Sequence, residues 1–128
     1  DRLSKVEPVS ERTPIFRNIH LSNVTGNDIK RIGYIKGIEE MPISELSFSN
    51  MNIVAGKGFQ AETATDIRFN NVSFTVEEGP SLNIRQCKDI FLNDVRTKQP
   101  IAGQPVVDLE AIENLSIIHC DSTQIVRK

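Results

Sequence analysis

Apolar residues along this chain fall in short alternating phrases, and one phrase recurs five times. It reads NIHLSNV at 18–24, ELSFSNM at 45–51, DIRFNNV at 66–72, DIFLNDV at 89–95 and NLSIIHC at 114–120. Its first apolar position falls at Ile19, Leu46, Ile67, Ile90 and Leu115, so successive copies are 27, 21, 23 and 25 residues apart by subtraction. A period near two dozen residues is the mark of a solenoid. Apolar at positions one and three with polar between them describes a short strand with one buried face. Strict alternation would bury position five as well. That position instead holds Asn23, Asn50, Asn71, Asp94 and His119, and position six is apolar again (Val24, Met51, Val72, Val95, Cys120). The chain must therefore bend at position five, where Asn tolerates the left-handed conformation. Coils stacked about 4.8 Å apart would let these amides hydrogen-bond in a ladder, degrading toward Asp94 and His119.

A second set of apolar runs lies between the phrases: Ile32–Ile35, Phe59–Ala61, Leu82–Ile84, Val106–Leu109 and Ile125–Val126. Each follows a corner rich in Gly, Pro or charge. Two strand-like walls per repeat predict an all-β parallel β-helix of about five coils. Helical periodicity is nearly absent, and β-branched and aromatic residues fill the apolar slots. The leucine-rich repeat has a similar period, but its Asn or Cys falls three residues after the last strand Leu and a helical segment follows. Here position five comes two residues after position three, and a second strand follows.

Residues 1–14 are polar, with Pro8 and Pro14 opposing helix. They read as an extended strap or linker ahead of coils spanning 15–128; a second reading lets Glu11 and Arg12 project into a binding surface. Terminal coils of a solenoid need a cap, and this strap is a poor one. The pattern therefore leads to the expectation that further coils precede Asp1, or that another chain covers the stack of Ile19, Leu21 and Val24.

Composition narrows the chemistry. The formal net charge of −2 over 128 residues gives no broad basic field for nucleic acid. No apolar run approaches the roughly eighteen residues of a membrane span, and the N-terminus has no signal-peptide core. Cys87 and Cys120 occupy different points on the coil, which disfavours a disulfide. No Cys/His cluster has zinc spacing, so no metal site is expected. The acidic pairs Glu39–Glu40, Glu77–Glu78 and Asp108 with Glu110 suit solvated turns better than the paired carboxylates of glycoside hydrolysis. Three glycosylation sequons begin at Asn23, Asn71 and Asn114; Asn23 and Asn71 are also ladder positions, and an inward amide would carry no glycan. Outward Arg68 and Arg85 suit an anionic sugar or ordinary surface charge. Phe91 stands at an outward phrase position where the other copies carry His, Ser, Arg and Ser.

The runs SERTPIFRNIHLSNVTG (10–26), YIKGIEEMPISELSFSNMNIVAGKGF (34–59) and DIRFNNVSFTVEEGPSLNI (66–84) resemble the C-terminal coils of glycoside hydrolase family 28, the polygalacturonases and related pectinases, bacterial members above all. The resemblance covers 8–95 well and 96–128 more loosely. It implies a right-handed parallel β-helix, a C-terminal piece of a longer helix. It also implies inverting hydrolysis of α-linked galacturonic acid polymers without cofactor, in a secreted or periplasmic protein. The family's Asn-Thr-Asp, Asp-Asp, Gly-His-Gly and Arg-Ile-Lys motifs are not found in this chain, where Arg31-Ile32-Gly33 departs from the last. No catalytic residue carries over. In the family these motifs precede the region resembled, so the expectation is a segment without hydrolase activity of its own. Some fungal members place an aromatic sugar contact where Lys36-Gly37-Ile38 stands here. The residues left as candidate substrate contacts are Glu11, Arg12 and Lys36. The partner implied is a pectic polysaccharide, met through the parent protein. The alternative is a non-enzymatic β-solenoid that binds or assembles.

Overall fold

The computed structural model describes residues 18–38, 40–41 and 43–128. Glu11, Arg12 and the strap over 1–14 lie outside the described residues. The strands are β1 (Ile19–Lys36), β2 (Ile43–Glu62), β3 (Ala64–Val76), β4 (Leu82–Arg85), β5 (Lys88–Arg96), β6 (Val107–Glu110), β7 (Glu113–Ile118) and β8 (Ile125–Arg127). One 3₁₀ turn, Ser122–Gln124, precedes β8. All these strands pair in parallel, each with the strand one coil away. The fold is a parallel β-solenoid of about four turns, which five passes of the phrase enclose.

The phrase stacks in register. Ile19 pairs with Leu46, Leu46 with Ile67, Ile67 with Ile90 and Ile90 with Leu115. This first wall buries Leu46, Phe48, Ile67, Phe69, Ile90 and Leu92. The second set of apolar runs forms another stacked wall: Phe59 pairs with Leu82, Leu82 with Val107 and Val107 with Ile125.

The expectation of two walls per repeat needs correction. In the middle coils a third straight segment separates them, because Met51–Ala55 pairs residue by residue with Val72–Val76. β1 joins it through Val24–Gly26 and, past a register shift, through Ile29 opposite Ala55, whereas β5 joins it only at its start, through Val95–Arg96. The third segment is lost where residues 97–106 loop out. In β3 Val72 through Val76 are all buried, the polar Ser73 and Thr75 included, although the residue types alternate apolar and polar.

Left-handed backbone produces the bends. All five position-five residues have positive φ: Asn23 58°, Asn50 54°, Asn71 55°, Asp94 58° and His119 56°. A single such residue resets the alternation, which is why position six points inward. The residue before each phrase's first apolar position does the same: Asn18, Glu45, Asp66, Asp89 and Asn114 have φ from 59° at Glu45 to 64° at Asn114. A third series at Thr63, Gln86 and Ala111 (57°, 52°, 56°) turns the second wall back toward the phrase.

Four phenylalanines fill the middle of the stack. Phe48 and Phe69 are stacked one coil apart at 5.0 Å between ring centroids, Phe59 meets both at 5.2 and 5.7 Å, and Phe74 lies edge-on to Phe69 at 6.4 Å. All four are at most 2% exposed. Pairs in these orientations add to the area term of burial. At the corner before Phe59 the coils approach so closely that a Cβ on Gly58 would overlap the carbonyl oxygens of Pro80 and Ser81. Burial falls toward both ends of the stack: Ile19, Leu21 and Val24 in β1, and Leu115, Ile117 and Ile125 in β7 and β8, are only partly covered.

Candidate functional site

Two outward surfaces carry polar chemistry. On the first wall the register aligns His20, Ser47, Arg68, Phe91 and Ser116 in one row. A shallow groove of about 670 Å³ runs beside it, lined by Glu45, Asp66, Arg68, Asp89, Phe91 and Asn114 among others. Two of its three carboxylates are engaged: Arg68 Nε donates to Asp66 Oδ1 at 3.3 Å, and Asn114 Nδ2 donates to Asp89 Oδ1. The groove is acidic, and Arg68, its one lining cation among the described residues, is tied to one of those acids. That arrangement suits an anionic sugar poorly, whatever the reach of Arg68.

The position-five column is on the outer rim, not inside. Asn23, Asn50, Asn71 and His119 are exposed and Asp94 is half-buried. The contacts form an interrupted series rather than one ladder. Asn71 Nδ2 donates to Asn50 Oδ1 at 2.8 Å, and Asn71 Oδ1 accepts from Arg96 at 3.0 Å. Asp94 pairs with Arg96 at 3.0 Å. His119 meets Asn93 instead, 2.9 Å from its Oδ1, and Asn93 Nδ2 donates to Asn70 Oδ1 at 2.9 Å. A second amide series one position earlier, Asn70 to Asn93, thus takes over at the C-terminal coils. The doubled Asn70-Asn71 was its only signal in the sequence.

On the second wall, the residues between the buried ones face out. Tyr34, Gln60, Asn83 and Asp108 share one row, and Lys36, Glu62, Arg85 and Glu110 the next. Lys36 is exposed at the end of β1, in register with Glu62. Arg85 donates to Glu110 at 2.8 Å and to Asn83 Oδ1 at 3.2 Å, while Lys128 lies 3.5 Å from Asp108. The expected acidic pair Asp108 and Glu110 is therefore spread over two rows and matched by cations. Glu77 and Glu78 are exposed, as expected of a solvated turn.

The corner leading into this wall sets Arg31 and Lys57 directly opposite each other on neighbouring strands. They flank a recess of about 240 Å³ lined also by Gln60, Asn83, Glu78 and Pro80, with Gly58 and Phe59 beneath. None of these residues was a candidate substrate contact in the sequence. The signal was there, since Gln60 and Asn83 are the polar positions inside the runs Phe59–Ala61 and Leu82–Ile84.

Among the described residues no group of three or more His, Cys, Asp or Glu side chains is placed to hold a metal, and no helix is long and apolar enough to cross a membrane. Both cysteines are free. Burial pushes the Cys87 thiol pKa up, against smaller opposing effects of nearby backbone groups. The Thr123 hydroxyl and N–H hold the Asp121 carboxyl pKa down at the start of the 3₁₀ turn. No family model, curated protein or solved structure matches this chain.

Proposed function

We propose that this chain is the C-terminal β-helix segment of a secreted or periplasmic pectin-degrading glycoside hydrolase. In this reading it extends the stack, walls one side of the substrate cleft and carries no catalytic carboxylate. The observation that supports the reading most is the coil frame itself. Within the described residues, the runs that resemble the pectinase coils stack in parallel register, phrase on phrase. Five of the acids on the outer walls point the same way. Asp66, Asp89, Asp94, Asp108 and Glu110 each meet a cation or an amide, whereas inverting hydrolysis needs two carboxyl groups about 6.5–9.5 Å apart across an open site. The same engaged acids also support a second reading, a non-enzymatic solenoid that binds glycan.

Assays on polygalacturonate separate the two. The 128-residue chain alone is expected to release no reducing ends, and the protein purified from its native source is expected to release them. Activity in the isolated chain would overturn the assignment of a non-catalytic segment. Inactivity of the native protein on every pectic polymer would overturn the pectinase reading in favour of the binding module.

A further inference from the structure

We infer that the outer face of the last coil, β7 with β8, is a self-association surface. A second copy of this chain sits on it about a two-fold axis, with β7 of each copy antiparallel to β8 of the other. This goes beyond the pectinase reading and does not rest on it, since the further coils of that reading join the stack at β1.

Two outward rows change character at this coil. One runs through Ser22, Ser49, Asn70 and Asn93 and then reaches Ile118. The other runs through Tyr34, Gln60, Asn83 and Asp108 and then reaches Val126. Ile118 is 41% exposed and Val126 38%. On the inner side of the same strands Leu115, Ile117 and Ile125 are only partly covered. Apolar surface therefore runs from the end face over the edge of the coil onto both walls, and contiguous exposed apolar surface marks an interaction site. β7 and β8 are also the two edges of the sheet path: among the described residues β7 pairs only with β5 and β8 only with β6. Each leaves a row of backbone N–H and C=O groups open to another strand.

The charges on this face select the occupant. Arg127 stands in the column of Ile35, Ala61, Ile84 and Leu109, all at most 3% exposed. A further coil laid on in the same register would bury that guanidinium in the core column, a cost that only a paired carboxylate offsets. A two-fold copy supplies one. The Ala111 N–H donates to the Lys128 carbonyl at 2.9 Å, so β8 runs into the corner from which β7 runs out. A two-fold axis at that corner lays the start of β7 over the end of the second copy's β8. Glu113 then faces Arg127, and Ile117 faces Ile125. Neither Glu113 nor Arg127 has an ion-pair partner among the described residues, although Lys88 is in register with Glu113. The other charges of the coil are engaged, Lys128 at 3.5 Å from Asp108 and Asp121 with the Thr123 N–H and hydroxyl. An isologous contact of this kind closes at two copies.

The test is sedimentation velocity on the full chain over a concentration series, with circular dichroism to check the fold of each variant. The end of one coil is a small interface, so the expected behaviour is a monomer–dimer equilibrium with a dissociation constant on the order of 10 μM and no larger species. I118S/V126N returns both rows to the polar types of the earlier coils and is expected to weaken the dimer by about tenfold or more. R127E and E113R are each expected to weaken it, and E113R/R127E, which exchanges the charges across the axis, is expected to recover it. S22E places a charge in the row of Ile118 at the opposite end of the stack and is expected to leave the dimer unchanged. A chain that stays monomeric well above that concentration, or that grows into a series of larger species, would overturn the closed two-fold contact. So would E113R/R127E remaining as weak as the single variants. A dimer dissolved by S22E and untouched by I118S/V126N would place the contact at β1 and overturn the proposal.

Discussion

Replacing Asn71 separates the two roles that this position combines. Its backbone sits at φ 55°, and its side chain donates to Asn50 and accepts from Arg96. Every replacement loses the two side-chain bonds, which on an exposed rim amount to about 1 kcal/mol together. Glycine adopts the left-handed bend freely but adds unfolded-chain entropy, costing about a further 0.4–1 kcal/mol. Alanine avoids most of that entropy cost and meets a steric cost of about 1–2 kcal/mol in the left-handed region. Valine, branched at Cβ, costs up to about 3 kcal/mol there. The expected losses are therefore about 1.5–2 kcal/mol for Asn71→Gly, about 2–3 for Asn71→Ala and about 4 for Asn71→Val. Urea unfolding followed by circular dichroism reads these as shifts in midpoint at constant slope. If valine is tolerated as well as glycine, the left-handed bend is not what position five supplies. If glycine costs nothing, the amide contacts on the rim contribute nothing.

Three further outcomes are expected. Phe69→Ala removes a ring with no exposed surface and three aromatic neighbours; thermal or urea unfolding is expected to show a loss of about 3–5 kcal/mol. Ser73→Ala is expected to leave stability unchanged or raise it by up to about 1 kcal/mol, because the buried Ser73 hydroxyl has no hydrogen-bond partner and its removal ends an unmet desolvation cost; a clear loss in urea midpoint would contradict this. The raised Cys87 pKa destabilises the fold only in alkali. The contribution of the neutral thiol is complete below the ordinary thiol value of 9.0 and is lost as pH rises through the higher folded value, where the unfolded chain already ionises. Melting temperatures of the parent are thus expected to fall faster above pH 9 than those of Cys87→Ala, and parallel curves would refute the assignment.

The first wall was legible because its period of two and its bend both show in residue types: apolar at one and three, Asn, Asp or His at five, apolar at six. The second wall was legible as apolar runs. The third segment was missed although Val72-Ser73-Phe74-Thr75-Val76 alternates apolar and polar, because it runs straight on from the phrase through position six and no corner sets it apart as a wall of its own. The other two left-handed series were missed for a related reason. Asn18, Asp66, Asp89 and Asn114 are ordinary polar residues at an ordinary strand boundary, and Glu45, Thr63, Gln86 and Ala111 are not types that announce a positive φ. The direction of the Asn column also escaped, because a ladder looks the same in sequence whether it faces in or out. The pairing of Arg31 with Lys57 depends on the irregularity between Gly26 and Ile29 in β1. That irregularity shifts the register, so the 27-residue spacing of the first two phrases becomes 26 by the second wall.

The phenylalanine knot also bears on how such a chain comes to fold. Phe48 and Phe69 are 21 residues apart by subtraction, so the first contact between coils closes a short loop, and lengthening a loop adds cost only slowly. Phe59 and Phe74 lie within the same stretch of chain and lock that first ring pair from either side. A stacked repeat can in principle nucleate at any coil. Here four of the aromatic rings are gathered in the coils of Phe48 and Phe69, so these coils are the expected template on which the coil before them and the coils after them are laid down.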